Sequence, residues 1–231
     1  EITQIRKLSI WIFLIPFIGI NLCLIISQNP EIFEDTIFSI DFKGRTGSTI
    51  PHLDGTSSIS RASRTLPQYL HFKPSMVLTS ILLFYYWKNN NSLVNNLYNT
   101  DINYKFKIFG VLSAFFLIIH SLLLGTNFDI KIFKLLRRVV LLSFIIFEII
   151  AQGILVFHFY KLKNKLKNFV NSKILTLKII LVFILSIVAI VSLPMLTNKG
   201  YTHFKHALEW NYFIGVILFY LLSRFFWKKN D

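Results

Sequence analysis

Residues 199–210, KGYTHFKHALEW, place two imidazoles and a carboxylate immediately before a long apolar run. His203, His206 and Glu209 follow one another in steps of three, which keeps them within an arc of roughly 120° on a helix. His206 and Glu209 can therefore interact as an i, i+3 pair. A histidine paired with a carboxylate can serve as general base or acid, so these two are the candidate catalytic residues of an acyl transfer or hydrolysis.

The same stretch allows two other interpretations. Zinc binding is disfavoured, because His-x-x-His is not a common helical spacing of zinc ligands and no cysteine assists. The other alternative is a cluster at the membrane interface, in which the histidines are solvated and Tyr201 and Trp210 belong to an aromatic belt. We therefore expect neither a metal nor a cofactor.

A second polar group lies in residues 44–64, GRTGSTIPHLDGTSSISRASR, whose glycines and Pro51 predict turns. Arg61 and Arg64 are three residues apart, and the planar donor fork of arginine suits phosphate groups. The stretch is therefore either a solvated loop or a binding site for a lipid headgroup. The candidate headgroup ligands are His52, Asp54, Arg61, Arg64 and Arg137.

Long apolar helices must position these residues. The chain is 54% hydrophobic and 16% charged, whereas soluble domains carry about a quarter charged residues. A helix needs about 20 mostly apolar residues to span a bilayer. Six segments meet or approach this length: Leu8–Ser27, Phe72–Trp87, Ile108–Thr126, Val139–Phe159, Ile174–Met195 and Ala207–Trp227. We predict an all-α integral membrane protein with a single six-helix transmembrane domain over residues 1–231. An outer loop covers residues 28–71, and the Asn-rich residues 85–99, YYWKNNNSLVNNLYN, form an inner loop.

The basic residues set the predicted orientation. The formal net charge is +14, and the basic side chains flank the apolar segments in four clusters. Because cytoplasmic loops are enriched in Lys and Arg, six crossings place all four clusters, and both termini, in the cytoplasm. The clusters are Arg6 and Lys7; Lys88, Lys105 and Lys107; residues 161–167 (KLKNKLK) with Lys173 and Lys178; and Arg224, Lys228 and Lys229. The first-loop acids, which then face outside, are Glu31, Glu34, Asp35, Asp41 and Asp54.

Polar residues inside the predicted spans require an explanation, because placing a charged or polar side chain in hydrocarbon costs free energy. Glu148 lies near the middle of the fourth segment, Gln152 follows one turn later, and Arg137 falls within about 20° of the same helix face. These residues predict a polar stripe that faces the bundle. His120 lies roughly two turns below the outer end of the third segment. Either these side chains bond neighbouring helices and fasten the bundle, or they line a functional polar cavity.

Three stretches resemble the DRAM/FRAG/SFK family of six-helix membrane proteins: IPHLDGTSSIS, LLLGTNFD and HALEWNYFIGVILFYL. That family tends to show a P-x-I-S-x-T-G type segment in the first outer loop and a small-x-x-x-Glu-Trp start to the last helix. Pro51–Thr56 and Glu209-Trp210 are the counterparts here, although His52 and the order Asp54-Gly55 depart from the pattern. The resemblance implies a polytopic protein linked to lipid handling, in a plasma or inner membrane or an endomembrane.

We carry three functions forward. The first is binding or handling of lipid headgroups at the outer leaflet, since most candidate residues map to the outer half. The second is a non-catalytic scaffold whose inner basic loop recruits anionic lipid or a cytoplasmic protein partner, because the chain lacks motifs such as G-x-S-x-G and H-E-x-x-H. The third is a small transporter or channel that uses Glu148, although no inverted repeat is visible. Nucleic acid is excluded, because no RNA-binding motif is present.

Overall fold

A computed structural model describes residues 1–33, 36, 49–125, 131–197 and 200–228. Throughout these ranges the chain forms helices and turns, with one isolated bridge between Val170 and Trp227. The predicted all-helical class is therefore confirmed. Residues named above that fall outside the described residues are Glu34, Asp35, Asp41, Lys229, residues 44–48 of the first-loop stretch and residues 126–129 of LLLGTNFD.

Six long helices and three short ones make up the described part of the chain. The long helices are α1 (Ile2–Gln28), α4 (Gln68–Tyr98), α5 (Lys105–Leu123), α6 (Lys131–Lys161), α7 (Ser172–Thr197) and α8 (Thr202–Phe226). The short elements are a 3-10 turn (Pro30–Phe33), α2 (Pro51–Asp54) and α3 (Ile59–Ser63).

Within the described residues, four helices are long and apolar enough to cross a membrane. They are Ile2–Gln28, Lys105–Leu123, Leu135–Lys161 and Ser172–Ser192. The outward face of α7 suits such a setting, because Phe183, Ile190 and Val191 are all about two-thirds exposed (65%, 67% and 63%). Large apolar side chains facing outward at this density are expected where lipid, not water, surrounds the helix.

Helix α4 differs from the prediction, because the Asn-rich stretch expected to form an inner loop is helical through Tyr98. The asparagines serve the next connection: Asn91 Nδ2 donates to the Ile102 carbonyl at 3.1 Å, and the Tyr104 amide donates to Asn91 Oδ1 at 2.9 Å. The helix stops at Asn99, which adopts a left-handed φ of 54°. The last turns of α4 thus hold the connection to α5 through side-chain hydrogen bonds.

The six long helices form a closed ring. Each packs on the next in chain order, and α8 returns to contact α1. Close approach of α5 to α4 depends on Gly110, where an added Cβ would lie 2.3 Å from the Trp87 ring. Small residues at helix contacts are how membrane helices gain van der Waals packing, since lipid gives them no hydrophobic drive to associate.

Both described ends of the chain meet the basic loop at one end of this ring. Arg6 Nη1 donates to the Lys228 carbonyl at 3.5 Å, and the Lys228 amide donates to the Phe169 carbonyl at 2.8 Å. Lys165 Nζ donates to the Leu97 carbonyl at 3.3 Å. The basic clusters of the two termini and of residues 161–167 therefore lie together.

The outer-loop segment lies at the opposite end. Helix α1 has 27 residues, so its ends are about 40 Å apart. At its far end Gln28 Nε2 donates to the Thr49 carbonyl at 2.7 Å. Residues 49–67, here called the docked loop, begin at this point and contact the start of α8.

Candidate functional site

The docked loop is shaped by Asp54. The backbone amides of Ile50 and Thr56 each donate to its carboxylate at 2.9 Å, and Thr56 Oγ1 donates at 2.8 Å. The hydrogen bond from the Thr56 amide holds the pKa of Asp54 below its ordinary value. Carboxylate oxygens that accept three bonds from their own loop organise that loop. Asp54, expected to bind a headgroup, is committed to this turn.

Gly55 joins the loop to α8. It adopts a φ of +61°, which L-residues disfavour, and a Cβ there would lie 1.8 Å from the His203 carbonyl oxygen. Its own carbonyl oxygen lies 2.9 Å from His206 Nδ1. Because a carbonyl only accepts, Nδ1 carries the proton, and Nε2 of a neutral His206 is left as the basic nitrogen.

Three further contacts fasten the loop. Trp210 Nε1 donates to the Ser57 carbonyl at 2.8 Å, and Asn211 Nδ2 donates to the His52 carbonyl at 2.8 Å. The rings of His52 and Trp210 meet edge to face with centroids 5.1 Å apart. The pKa of His52 is lowered by partial burial. Of the two aromatic residues in the interface-cluster alternative, Trp210 is fully buried and Tyr201 is exposed.

Glu209 lies one turn beyond His206 but has different partners. Its Oε1 accepts from the Ser60 amide at 3.4 Å and from Ser60 Oγ at 3.5 Å. The positive charge of Arg64 interacts electrostatically with the Glu209 carboxyl group. The exposed Arg61 interacts in the same way with the His206 imidazole. Within the described residues no hydrogen bond joins His206 to Glu209. The structure thus brings four predicted site residues into one region without forming the expected pair.

Two cavities lie on either side of Glu209. The central cavity, of about 90 Å³, is enclosed by α1, α4, α5, α6 and α8, and its polar wall is formed by His120, Glu148 and Glu209. The lateral groove, of about 190 Å³, lies between α6, α7 and α8. Most of its wall is apolar. On the side formed by α8, Lys205 and His206 lie beside Glu209.

Two of the three residues of the predicted polar stripe on α6 face the interior of the bundle, and the third, Arg137, lies apart from them. Glu148 is fully buried and accepts hydrogen bonds from Ser113 Oγ at 2.5 Å, from Gln152 Nε2 at 3.0 Å and from the Tyr220 hydroxyl. Arg137 is only partly buried, and its guanidinium lies 6.0 Å from the centroid of the Phe133 ring on its own helix. Glu148 and Gln152 therefore face the bundle as predicted, and Arg137 does not join them.

His120 faces the same interior from α5. It is 9% exposed, and Nδ1 has no hydrogen-bond partner among the described residues. The positive charge of Arg137 interacts electrostatically with the His120 imidazole. A buried imidazole nitrogen on the wall of a cavity is where an ordered water is expected to bind.

Lys178, which the charge pattern places with the basic loop, lies instead in the interior of the bundle. It is fully buried, and its Nζ donates to Ser223 Oγ at 2.8 Å and lies 4.0 Å from the centroid of the Phe219 ring. The Tyr86 hydroxyl lies 3.0 Å from the same Ser223 Oγ. The signal was present, since residue 178 lies inside the apolar segment Ile174–Met195.

The described residues contain no group of three or more His, Cys, Asp or Glu side chains placed to hold a metal ion. Comparisons with protein-family models, with curated proteins and with solved structures found no match to this chain. The structure defines its class: an all-helical protein with four helices able to cross a membrane in the part described.

Proposed function

We propose that the chain is a six-span membrane protein, with both termini in the cytoplasm, that binds a phospholipid headgroup at the lateral groove in the outer leaflet. Helices α4 and α8 complete the ring with the four apolar helices, which supports six crossings. The clustering of the termini with the basic loop supports their cytoplasmic location, since Lys and Arg favour that side.

The observation that carries the proposal is the amphipathic character of the lateral groove. Most of its apolar wall comes from α6, through Leu141, Leu142, Ile145 and Ile146, and α7 adds Ala189 and Ser192. Lys205 and His206 lie at the edge next to the docked loop. An acyl chain fits such walls, and a phosphate suits a lysine beside an imidazole. The exposed Arg61, which acts on His206, adds positive charge at this edge.

Occupancy of the groove is tested with a photoactivatable phospholipid and purified protein in nanodiscs. Ala189 lines the groove, while Ile190 beside it is 67% exposed on the outer face. We expect Ala189→Trp to fill the groove and to reduce cross-linking, and Ile190→Trp, the matched control, to leave it unchanged. Equal cross-linking of the two variants would overturn the assignment.

Handling of the lipid, as opposed to binding, depends on His206 and Glu209. The Gly55 carbonyl orients the imidazole through Nδ1, so Nε2 is the nitrogen that can act as a base toward a headgroup in the groove. Lipid profiling of cells bearing His206→Gln tests this step. Altered phospholipid composition with normal expression supports remodelling, and an unchanged profile removes the enzymatic form while leaving binding intact.

A second candidate function is favoured by the basic end of the bundle. In residues 161–167 the leucines Leu162 and Leu166 are buried, whereas Lys163, Lys165 and Lys167 are exposed. The leucines hold the segment on the bundle and the lysines face outward, an arrangement that suits recruitment of an acidic cytoplasmic protein. Replacing the three lysines by glutamine is expected to abolish capture of such a partner without altering insertion. Capture that survives would reject this function.

A further inference from the structure

The interior of the bundle contains an acid and a base that lipid binding does not use. Glu148 on α6 and Lys178 on α7 are both fully buried, although an unpaired charge in such a place is costly. We propose that they are the two ends of a proton relay, which takes up protons from the central cavity at Glu148 and exchanges them with Lys178 through Tyr220, Tyr86 and Ser223.

The central cavity provides the entry to this relay. Glu209 and Glu148 both line it, and His120 lies on the wall with an unpartnered Nδ1 among the described residues. A volume of about 90 Å³ is well above the roughly 10–15 Å³ that one water needs by such a measure. The wall of this space is mostly apolar, so the relay requires waters held by the three polar groups on it. Such waters would connect the Glu209 carboxyl to the Glu148 carboxyl, with the His120 imidazole as an intermediate acceptor and donor.

Hydroxyl groups continue the path beyond Glu148. The Tyr220 hydroxyl donates to Glu148, and the Tyr86 hydroxyl lies 3.0 Å from Ser223 Oγ, which in turn accepts from Lys178 Nζ at 2.8 Å. Each hydroxyl can accept one proton while it donates another. The Ser223 hydroxyl donates to the Phe219 carbonyl at 2.9 Å, so transfer to Lys178 requires this hydroxyl to turn toward Nζ. The rings of Tyr86 and Tyr220 contact each other with centroids 4.9 Å apart, so the step between them requires rotation of a tyrosine or a bridging water.

The transfer balances without any other reactant. A proton leaves the Glu148 carboxyl and one arrives on the neutral Lys178 amine, which converts a neutral pair into a carboxylate and an ammonium. The cycle closes when Glu148 takes up a proton from the central cavity and the Lys178 ammonium releases one toward the basic end. The ammonium form is stabilised by Ser223 and by the face of Phe219, 4.0 Å from Nζ. Residue 178 lies six positions after the first residue of α7, about 9 Å along the helix from the basic end.

The titratable groups around the relay come from every long helix but α1, whose contributions to the cavity wall are apolar. They are Tyr86 on α4, His120 on α5, Glu148 on α6 with Arg137 acting on His120, Lys178 on α7, and Glu209, Tyr212 and Tyr220 on α8. The walls of the central cavity and of the lateral groove share four residues, and neither Glu148 nor Lys178 is among the residues described as lining the groove. The shared residues are Leu141, Ile145, Glu209 and Tyr212.

Proton flux into liposomes tests the proposal. Purified protein is reconstituted with an enclosed pH-sensitive dye, and a potassium gradient with valinomycin drives proton entry. We expect wild-type protein to acidify the lumen faster than protein-free liposomes, and Glu148→Gln and Lys178→Met each to return the rate to the protein-free level. The matched controls, Glu31→Gln and Lys173→Met, change exposed residues of the same type and should retain wild-type flux.

Tyr86→Phe supplies a second test that preserves the ring packing and removes only the hydroxyl next to Ser223. It should lower the flux while the protein still elutes as a folded particle. The relay is overturned if wild-type protein is no faster than empty liposomes, if Glu148→Gln or Tyr86→Phe conducts like wild type, or if the current follows a sodium gradient instead of the proton gradient.

Discussion

The Trp210 indole N–H donates to the carbonyl oxygen of Ser57 at 2.8 Å across 153 residues of sequence. This bond ties the first loop to the last helix, because Ser57 belongs to the docked loop and Trp210 lies within the first turns of α8. The indole is fully buried at this junction. Its N–H and its ring therefore serve different purposes, one binding the loop and the other packing in the bundle.

Trp210→Phe tests the bond while retaining an aromatic ring. We expect a loss of about 1 kcal/mol, the net value of a typical hydrogen bond, together with faster tryptic cleavage after Arg61 and Arg64 as the loop opens. Trp11→Phe, at an outward position that is 54% exposed, is the control. Identical cleavage rates in the two variants would contradict the docking.

Gly55→Ala should be one of the most damaging single-methyl changes in the loop. The left-handed conformation costs an L-residue about 1–2 kcal/mol, and the added carbon would also lie 1.8 Å from the His203 carbonyl. Gly200→Ala is the matched control, since nothing lies within 4 Å of a Cβ there. Thermal unfolding in detergent should give a clearly lower Tm for Gly55→Ala and a near wild-type Tm for Gly200→Ala.

Acid should loosen the docked loop through Asp54. Its pKa is depressed in the folded chain, chiefly by the Thr56 amide, so this carboxylate stabilises the loop above its unfolded pKa. That contribution is lost as pH falls below about 4. Hydrogen exchange of residues 50–60, corrected for intrinsic rates, should rise through this range in wild type. Asp54→Asn should show raised exchange at neutral pH and little further change, and a flat wild-type profile would reject the role.

Gly110→Ala should separate α4 from α5. The new methyl group would lie 2.3 Å from the Trp87 ring, and overpacking of this kind costs about 1–3 kcal/mol. Gly153→Ala is the control, because the nearest atom to its Cβ is Val182 Cγ1 at an ordinary 3.5 Å. A lowered Tm in the first variant alone is expected, and equal melting of both would show that the α4–α5 contact is looser than described.

Lys178→Met distinguishes function from stability. Replacing a buried charged group by an apolar side chain of similar volume is often neutral or stabilising, so the Tm should stay the same or rise. Ser223 keeps a partner in Tyr86 in this variant. A large fall in Tm would assign Lys178 to structure, whereas unchanged stability with lost proton flux would assign it to the relay.

The sequence by itself determined the local elements and the direction of several faces. Long apolar runs gave helices close to the predicted segments, and Glu148 and Gln152 face the bundle because residues four apart share one side of a helix. The predicted cytoplasmic side of the termini stays a prediction. The candidate roles of His206, Glu209 and the headgroup residues likewise await the tests described.

Only the tertiary structure decided which distant residues meet. Gly55 lies against the His203 carbonyl because the docked loop packs on the start of α8. Lys178 is enclosed by Ser223 and Phe219 because α8 also packs on α7. Periodicity specifies a face but not its partner. The partner depends on complementary shape between surfaces far apart in the chain, such as a missing Cβ opposite a carbonyl, and no local spacing encodes that fit.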